Sequence, residues 1–490
     1  MWKYLALFPL MSAAVGALET EAVYGHHMVL QRGVPVPICG KTEQEGEVVV
    51  CFGEQRKTAR PVAGRWEVRL EPMSACAEGR ELSVMQGEER LVLQDVVVGE
   101  VWLASGQSNM EFRLRQSVGG KEAIATSADS GLRLYHAAGQ VPTPPGCYGE
   151  EQRELLRREK MYVGSWAVAG PETTPEVSAV GYYFGQEMRR GLGDVPVAVV
   201  DVANGGSEMA AWLPEDSLRR LCPAALGPHW METPLLMGWA RRRGMENMGE
   251  QGEGLHPYRP GFLFRTGIRP WLRFPVAGVI WYQGETDAET DDMEQNTRVM
   301  KELILSWQRA FQHPSMPFIM VQLPRIAAHR PESRHWREFR RVQARVAEAL
   351  PGAECVVTID LGTDNIDVHP PRKREVGVRL ARTALGKVYG ASVPFRGPRM
   401  VSAEREGNML RVHTEHAEGM RLTDERMPAG FEVAGADGVY HPAVALLDGL
   451  DILLCSPDVA EPCHARYAWA IFLEPNVVNA AGLPMEPGEI

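Results

Sequence analysis

The fold prediction begins with the stretch Val101-Trp102-Leu103-Ala104-Ser105-Gly106-Gln107-Ser108-Asn109-Met110. Apolar residues dominate from Val98 to Ala104, which is typical of a strand buried on both faces of a parallel sheet. A turn containing glycine follows, so Ser108 stands where a strand gives way to a helix. A serine there can act as a nucleophile, because its hydroxyl stands above the sheet and its own N–H faces an incoming carbonyl. It can also be an ordinary helix N-cap, and this stretch alone leaves both interpretations open.

The same alternation of strand and helix continues to about residue 395. It predicts an α/β domain whose parallel sheet is covered by helices on both faces. Ligands bind beyond the carboxyl ends of the strands in such sheets, so polar residues just after each strand are candidate site residues. The later predicted strands are Val195–Val202, Val276–Tyr282, Phe318–Leu323 and Cys355–Ile359. The predicted helices are Ala179–Arg190, Met293–Phe311, Trp336–Leu350 and Glu375–Leu385.

The two ends of the chain are β-rich instead. Apolar and polar residues alternate around Trp66 near the start and around Leu410 near the end, which indicates strands with one buried face. A chain of 490 residues is long enough for two or three domains. We therefore predict a β-sandwich-like domain at 18–95, an α/β domain at 96–395 and a C-terminal β-domain at 396–490.

Two segments have special compositions. Residues 1–17 combine Lys3 with a short apolar stretch and several small residues, which predicts a secretory signal peptide and a secreted or periplasmic protein. That stretch is too short to span a bilayer and no later run is long enough, so we expect no stable membrane insertion. Residues 225–262 are rich in Gly, Pro and Met without a period, and we predict a long loop near the site.

Charge and cysteine usage exclude several classes of function. The net charge of -11 argues against a nucleic acid partner, because phosphate binding requires a basic surface. None of the eight cysteines has the spacing of a zinc site, and we expect no metal. An oxidising compartment would permit disulfides, and Cys455 with Cys463 is one possible pair that the sequence does not decide.

Two turns after later strands could supply donors to an oxyanion. Gly205 and Gly206 follow one strand, and paired glycines let a backbone N–H approach a ligand closely. Gln283 follows another strand and carries an amide donor, while Glu285 could orient its neighbours. Each signal is weak alone, since paired glycines are common in turns and the residues after Gln283 could simply cap a helix.

The segment from Asp364 to Pro370 follows the last predicted strand and contains a histidine. His369 needs only hydrogen-bond reach to Ser108, with a carboxylate holding its other ring nitrogen. Asp367 is the first candidate for that carboxylate and Asp364 is the second. An ordinary solvated loop would also have this composition. Taken together, however, a hydroxyl, an imidazole, a carboxylate and N–H donors at four strand ends are what acyl transfer requires.

Four blocks of sequence, in order, resemble the sialate O-acetylesterase family, a branch of the SGNH hydrolases. They are Trp102–Phe112, Gly205-Gly206 with Ala211-Trp212, Val279–Glu285, and Asp367–Pro370 with Lys373, Glu375, Val376 and Gly377. Further similarity at His27–Arg32 and Arg466–Trp469 extends the resemblance over nearly the whole mature chain. The chain departs from the family at Asn204, where a tryptophan usually precedes the paired glycines, and this changes a wall of the pocket.

The resemblance implies a three-layer, flavodoxin-like SGNH hydrolase domain with a parallel sheet, and ester hydrolysis without a cofactor. It implies that Ser108 is the nucleophile, His369 the general base and Asp367 its orienting acid. The implied oxyanion hole consists of the N–H of Ser108, an N–H of Gly205 or Gly206, and the side chain of Gln283. The residues expected to contact substrate are Gln107, Asn109, Asn204 and Glu285.

The predicted function is removal of O-acetyl groups from carbohydrates, with O-acetylated sialic acids as the leading substrate. A plant glycan such as acetylated xylan is the alternative substrate. A catalytically inactive glycan-binding protein is the alternative from another class. The joint presence of Ser108, Gln283, Asp367 and His369 speaks against it, because a binding module does not need them. The sequence leaves the oligomeric state open.

Overall fold

The computed structural model describes residues 18–249, 254–327, 329 and 331–490. The predicted signal peptide at 1–17 lies outside the described residues. The chain is a mixed α/β protein, with a central sheet that contains parallel strands and separate antiparallel β-sheets. This agrees with the predicted fold class in its main features.

The strands before residue 96 are antiparallel, apart from one short parallel pairing, and most belong to two sheets. In the sixth strand, buried Trp66, Val68 and Leu70 alternate with more exposed residues, as the sequence predicts. These strands are β1 Glu19–Thr20, β2 Val29–Gln31, β3 Val36–Lys41, β4 Val48–Phe52, β5 Gln55–Ala59, β6 Arg65–Leu70, β7 Cys76–Gln86 and β8 Glu89–Gly106.

Strand β8 connects the N-terminal strands to the central sheet. Its first part pairs with β7 in antiparallel fashion, whereas residues 100–106 lie inside the parallel sheet. The predicted boundary between residues 95 and 96 therefore falls within one continuous strand. The catalytic candidate Ser108 lies two residues after the end of this strand. The same strand therefore connects the N-terminal sheet to the candidate site.

The central sheet has the strand order β10-β9-β11-β8-β12-β13-β14. Five of these strands are mutually parallel and lie side by side in the order β11-β8-β12-β13-β14. If they are numbered 1 to 5 along the chain, starting from β8, this order is 2-1-3-4-5, as in flavodoxin-like sheets. The sheet predicted to be parallel is mixed, because the edge strand β10 is antiparallel to β9. The new strands are β9 Asp129–Gly139, β10 Tyr162–Ala169, β11 Val197–Ala203, β12 Gly278–Tyr282, β13 Phe318–Val321 and β14 Ala353–Val356.

Helices cover both faces of the central sheet. Helices α4 and α9 pack on one face around Trp102 and Ile280, and α7 and α8 pack on the other around Leu103 and Val279. The predicted boundaries of these four helices are correct to within two residues. The helices are α1 Ser108–Glu111, α2 Gly120–Ala125, α3 Glu150–Arg157, α4 Ala179–Leu192, α5 Glu215–Leu221, α6 Gly238–Met248, α7 Met293–Ala310, α8 Trp336–Ala349 and α9 Lys373–Lys387.

The segment predicted to be a long loop, 225–262, contains helix α6. Three consecutive arginines obscure its period, but two of them are held by neighbouring segments. Arg241 donates to the carbonyl of Leu236, and Arg243 donates to the carbonyl of Thr143 at 3.0 Å. Sequence periodicity did not predict this helix because its amphipathic pattern is weak. Hydrogen bonds to residues outside the helix help to hold it in place instead.

The C-terminal strands form three small antiparallel sheets around a separate apolar cluster that includes Leu410, Val412, Ile452 and Tyr467. All eight cysteines lie in the described ranges and all are free thiols, so Cys455 and Cys463 do not form the pair considered above. The strands are β15 Arg399–Glu406, β16 Met409–Glu415, β17 Arg421–Leu422, β18 Phe431–Ala434, β19 Tyr440–Pro442, β20 Val444–Asp448, β21 Asp451–Cys455, β22 His464–Tyr467, β23 Val477–Val478 and β24 Gly488–Glu489.

The turn after β8 depends on a glycine. Gly106 has φ +141°, and a Cβ atom there would lie 2.1 Å from the carbonyl oxygen of Tyr282 at the end of β12. The backbones of β8 and β12 thus approach too closely for any side chain at this position. This packing sets the direction in which the chain leaves β8 and enters α1 at Ser108.

Within the described part of the chain, no helix has the length and apolar character needed to cross a membrane.

Candidate active site

The structure brings together the three side chains predicted to form a triad. The Oγ of Ser108 lies 2.8 Å from Nε2 of His369, and Nδ1 of His369 lies 2.8 Å from a carboxylate oxygen of Asp367. Of the two carboxylates that the sequence left open, Asp367 rather than Asp364 therefore contacts the imidazole. The side chains lie in the order that general-base activation of a serine requires.

Local hydrogen bonds hold the imidazole and its carboxylate together. The same oxygen of Asp367 that contacts the ring also accepts the backbone N–H of His369 at 3.0 Å. The backbone N–H of Asp367 donates to the side-chain oxygen of Asn365 at 2.8 Å. This compact turn explains how two residues that are only two positions apart can form a side-chain pair.

A buried polar network lies beneath this loop. The side-chain amide of Asn109 donates to the carbonyl of Val368 at 2.8 Å and to the carboxylate of Glu285. The amine of Lys373 donates to the side-chain oxygen of Asn109. Asn109 is fully buried, and it does not line the cleft. The Asn109 side chain, which was predicted to contact substrate, instead contacts the backbone next to His369.

Burial changes the protonation behaviour of this network. The Lys373 amine is enclosed, with the ring centroids of Phe112 and Tyr282 at 4.8 and 5.2 Å. Desolvation lowers the pKa of Lys373 to about 7, while Glu285 acts in the opposite direction. Burial also raises the pKa of Glu285. The loop that carries Asp367 and His369 thus lies above two titratable groups that are both poorly solvated.

The paired glycines lie beside the serine, but one of their donors is engaged. A Cβ atom at Gly205 would lie 3.5 Å from the Cβ of Ser108, so this turn forms part of the serine's immediate surroundings. The N–H of Gly205 donates to the carboxylate of Glu111 at 2.7 Å. Burial raises the pKa of Glu111. The predicted oxyanion donor at Gly205 is thus paired with the carboxylate of Glu111.

The structure places Gln283 under the glycine turn instead of in the cleft. Its side chain is fully buried, and its amide donates to the carbonyl of Ser207 at 3.2 Å and to the carboxylate of Asp287. Burial raises the pKa of Asp287 to about 7. In this arrangement the amide predicted for the oxyanion hole is used to hold Asp287, so it is not directed at Ser108.

Ser108 and His369 open into a cleft of about 630 Å³. The predicted substrate contacts Gln107, Asn204 and Glu285 all line it. The segment 225–262, which was predicted to lie near the site, supplies Trp239, Arg243 and Tyr258 to the remaining wall. The part of the wall between β9 and α3 was not predicted, because no family motif lies there. The main additional lining residues are Glu111, Thr143, Trp239, Arg243, Tyr258 and Glu289.

Several of these additional residues are fixed in place. The guanidinium of Arg243 lies 5.1 Å from the ring centroid of Trp239. The hydroxyl of Tyr258 donates to the carbonyl of Gly205 at 2.9 Å, so the wall and the glycine turn are directly connected. Within the described ranges, no group of three or more His, Cys, Asp or Glu side chains could hold a metal ion.

Comparisons with known proteins show similarity to carbohydrate esterases. Residues 266–386 match the family model described as carbohydrate esterase, sialic acid-specific acetylesterase. The sialate O-acetylesterase of Mus musculus is 25% identical over 435 residues, which cover 79% of this chain and 76% of the relative. The Homo sapiens sialate O-acetylesterase is 23% identical and covers 80% of this chain and 75% of the relative.

A similar solved structure covers almost the whole chain. The crystal structure of a carbohydrate acetylesterase from Xanthomonas citri has a TM-score of 0.79 and 29% sequence identity. The similarity covers 97% of this chain and 99% of that one. The N-terminal strands, the central sheet and the C-terminal sheets are therefore all included in the likeness.

Proposed function

We propose that this chain, which the matches identify as a carbohydrate esterase of the sialic acid-specific acetylesterase family, removes O-acetyl groups from sugars through an acyl-enzyme on Ser108. The contact that carries the proposal is the hydrogen bond of 2.8 Å between Ser108 Oγ and His369 Nε2, with Asp367 on the other ring nitrogen. A serine, an imidazole and a carboxylate in this order form the catalytic unit of the SGNH hydrolase type implied by the sequence blocks.

In the proposed mechanism, His369 accepts the proton of Ser108 as the hydroxyl oxygen attacks the acetyl carbonyl. Asp367 stabilises the imidazolium that forms and keeps the ring oriented. The imidazolium then gives its proton to the leaving sugar oxygen, and the acetyl group stays on Ser108. A water molecule activated by His369 releases acetate and restores the serine.

The negative charge of the tetrahedral intermediate requires donors near Ser108. The N–H of Ser108 is one candidate, and the N–H of Gly206 is the second candidate from the predicted set. Gly205 can contribute only when its N–H is released by Glu111, and release becomes easier when the Glu111 carboxyl is protonated. Gln283 would have to leave Asp287 to contribute.

The leading substrate is an O-acetylated sialic acid, and acetylated xylan or another neutral glycan is the second candidate. Arg243 is a cation in the cleft wall that could contact the carboxylate of a sialic acid. Three carboxylates, those of Glu111, Glu285 and Glu289, line the same cleft and would repel an anionic sugar when ionised. This charge distribution is the specific observation that favours a neutral glycan.

Release of nitrophenol from nitrophenyl acetate tests the esterase proposal. Ser108→Ala should abolish turnover, while Ser105→Ala should retain it, because Ser105 is fully buried in strand β8 and its hydroxyl makes no hydrogen bond among the described residues. A Ser108→Ala protein that turns over as fast as the wild type would refute the assignment. A wild-type protein without turnover would favour the glycan-binding alternative.

Acetate release from 9-O-acetylated sialic acid and from acetylated xylan separates the two substrate candidates. If sialic acids are the substrate, Arg243→Met should raise KM for the sialate while leaving nitrophenyl acetate turnover unchanged. Equal effects on both substrates would argue against a contact between Arg243 and the carboxylate.

Secretion or export to the periplasm remains a proposal that rests on the composition of residues 1–17, and the N-terminal sequence of the exported protein would test it.

A further inference from the structure

The glycine turn beside the nucleophile has the features of a type II β-turn. The N–H of Ser207 donates to the carbonyl of Asn204 at 3.4 Å, and Gly206, the third residue of the turn, has φ +74°. The central peptide of the turn joins Gly205 to Gly206. Rotation of this peptide by half a turn would exchange the directions of its carbonyl and its N–H, and two adjacent glycines offer little steric resistance to that rotation. Contacts outside the turn must therefore fix its orientation.

Three side chains hold the carbonyl end of this peptide. The carbonyl of Gly205 accepts the hydroxyl of Tyr258 at 2.9 Å, the amide of Asn204 at 3.2 Å and the hydroxyl of Thr143 at 3.3 Å. Burial raises the pKa of Tyr258, so its hydroxyl keeps its proton and remains a donor. A Cβ atom at Gly206 would lie 2.3 Å from the hydroxyl oxygen of Tyr258. The shortest of the three hydrogen bonds therefore forms only because this position has no side chain.

The other end of the same peptide is the N–H of Gly206. The carbonyl and the N–H of a planar trans peptide point in opposite directions, so the groups that hold the carbonyl also fix the direction of this N–H. It donates to no residue in the described ranges, whereas the N–H of Gly205 is engaged by Glu111. Gly206 lines the cleft together with Ser108. Of the two glycine N–H groups, that of Gly206 is therefore the one left for a ligand.

A buried network connects the two hydroxyl donors to each other. The N–H of Tyr258 donates to Nδ1 of His256 at 3.0 Å, and Nε2 of His256 lies 3.1 Å from the side-chain oxygen of Asn247. Burial lowers the pKa of His256 to about 3, so the ring is neutral and Nε2 carries its one proton. The amide of Asn247 donates to the carbonyl of Pro144, the residue after Thr143, at 2.9 Å. The positions of both hydroxyls are thus set by contacts that do not involve the nucleophile.

We propose that Tyr258 is a positioning residue for ester hydrolysis: with Thr143 it holds the carbonyl of Gly205, so that the N–H of Gly206 stays available to the oxyanion of the tetrahedral intermediate. The inference rests on the proposed esterase function and gives the segment 225–262 a part in it. Without these hydroxyls the peptide can rotate and present a carbonyl oxygen to the developing negative charge, which repels it. Loss of an oxyanion donor costs about 10²–10³ in kcat in other enzymes, and loss of one group that holds the donor should cost about tenfold.

The activity of the full chain on nitrophenyl acetate relative to nitrophenyl thionoacetate tests this role. Sulfur is a weak hydrogen-bond acceptor, so an oxyanion donor favours the oxygen ester, and neither small ester brings a sugar that Tyr258 could contact. Tyr258→Phe should lower kcat/KM for the acetate about tenfold and leave kcat/KM for the thionoacetate nearly unchanged. The ratio of the two values should therefore fall by the same factor. A general loss of structure would lower both values equally, and an unchanged ratio would overturn the inference.

Variants of the second hydroxyl carry the same test if Tyr258→Phe does not fold. Thr143→Val should lower the ratio, whereas Thr143→Ser, which keeps the hydroxyl, should retain the wild-type ratio. Equal ratios in these two variants would contradict the proposed contacts. Tyr467→Phe is a matched control, because it removes a buried hydroxyl that has no hydrogen-bond partner among the described residues and lies outside the cleft lining. A ratio that falls equally in Tyr467→Phe and Tyr258→Phe would also refute the positioning role.

Ser108→Ala distinguishes failure of this inference from failure of the proposed function. If Ser108→Ala retains turnover of nitrophenyl acetate, or if the wild type has none, the proposed function fails and the positioning role fails with it. If Ser108→Ala abolishes turnover and Tyr258→Phe keeps the wild-type ratio, the esterase proposal stands and only the role of Tyr258 is refuted. Loss of turnover in Ser108→Ala together with a lower ratio in Tyr258→Phe supports both.

Discussion

Replacement of the buried lysine beneath the catalytic loop should change how stability depends on pH. The ordinary pKa of a lysine is 10.5, and burial lowers that of Lys373 to about 7. This difference corresponds to ~5 kcal/mol of unfavourable free energy for keeping the folded protein's amine charged, relative to the unfolded chain. Lys373→Met preserves the length and apolar stem of the side chain and removes the titrating group.

The sign follows from proton binding in the two states. Between pH 7 and 10.5 the unfolded chain holds a proton that folded Lys373 lacks, so the wild-type free energy of unfolding should rise with pH. The slope from this one group is at most ~1.4 kcal/mol per pH unit. Below pH 7 both states hold the proton, and the contribution becomes constant. Lys373→Met should lack the slope completely.

Urea unfolding at several pH values from 7 to 9.5, followed by tryptophan fluorescence, measures the effect. The quantity to compare is the difference in unfolding free energy between the wild type and Lys373→Met, because titrating groups that do not interact with Lys373 cancel in it. Lys387→Met is a matched control, since this lysine lies on the same helix, is half-exposed and pairs with Glu354 at 2.9 Å. A difference that stays constant with pH, or that matches the control, would refute the reasoning.

Three further predictions concern the neighbourhood of the site. Asn109→Leu removes the hydrogen bond to the carbonyl of Val368, so kcat should fall by about 10- to 100-fold with little change in KM; a change confined to KM would contradict a positioning role. Asp287→Asn removes a carboxyl whose pKa burial raises from 3.8 to about 7. Because folded Asp287 holds its proton in that range, wild-type stability should fall by up to ~4 kcal/mol as pH rises from 4 to 7, and acid and neutral urea titrations of the variant should lack this fall. Gly106→Ala should lower stability by about 1–3 kcal/mol and impair turnover, since its Cβ would meet the carbonyl of Tyr282 at 2.1 Å; unchanged thermal unfolding would show that the strands can move apart.

The main strands and helices of the central region could be predicted because their patterns are strong. Val279–Tyr282 reads as a continuous apolar run, and the structure buries this strand completely. Helix α7 shows the period of an amphipathic helix and begins at the predicted residue. Continuous burial and helical periodicity are both properties of local sequence, so no knowledge of the tertiary structure is needed to recognise them.

Strands β9 and β10 were not predicted, because polar residues interrupt their apolar pattern. Arg133 within β9 is 3% exposed, and its charge is paired with that of Asp95 in β8. His136 in the same strand contacts Asp201 in β11 at 2.9 Å. A buried arginine or histidine looks like a surface residue in the sequence when its partner is distant along the chain.

The position of polar residues at strand ends predicted which groups meet at the site. Ser108 and His369 are separated by more than half the chain, yet the parallel sheet brings both to one edge. The structure differs from the expected arrangement at two polar side chains that have buried partners. Gln283 donates to Asp287, and Asn109 is enclosed by Glu285 and Lys373, so neither side chain faces the cleft as expected.

The sequence by itself predicted the kind of chemistry, since a serine, a histidine and an aspartate that follow strands of one parallel sheet are brought to the same edge of that sheet. The tertiary structure alone decided which polar side chains remain available at the cleft and which are used beneath it. It also decided the walls of the cleft, where Trp239 and Tyr258 come from a segment without a motif. The physical reason is that a buried polar group must find a partner, and the nearest partner is set by three-dimensional proximity rather than by position in the chain.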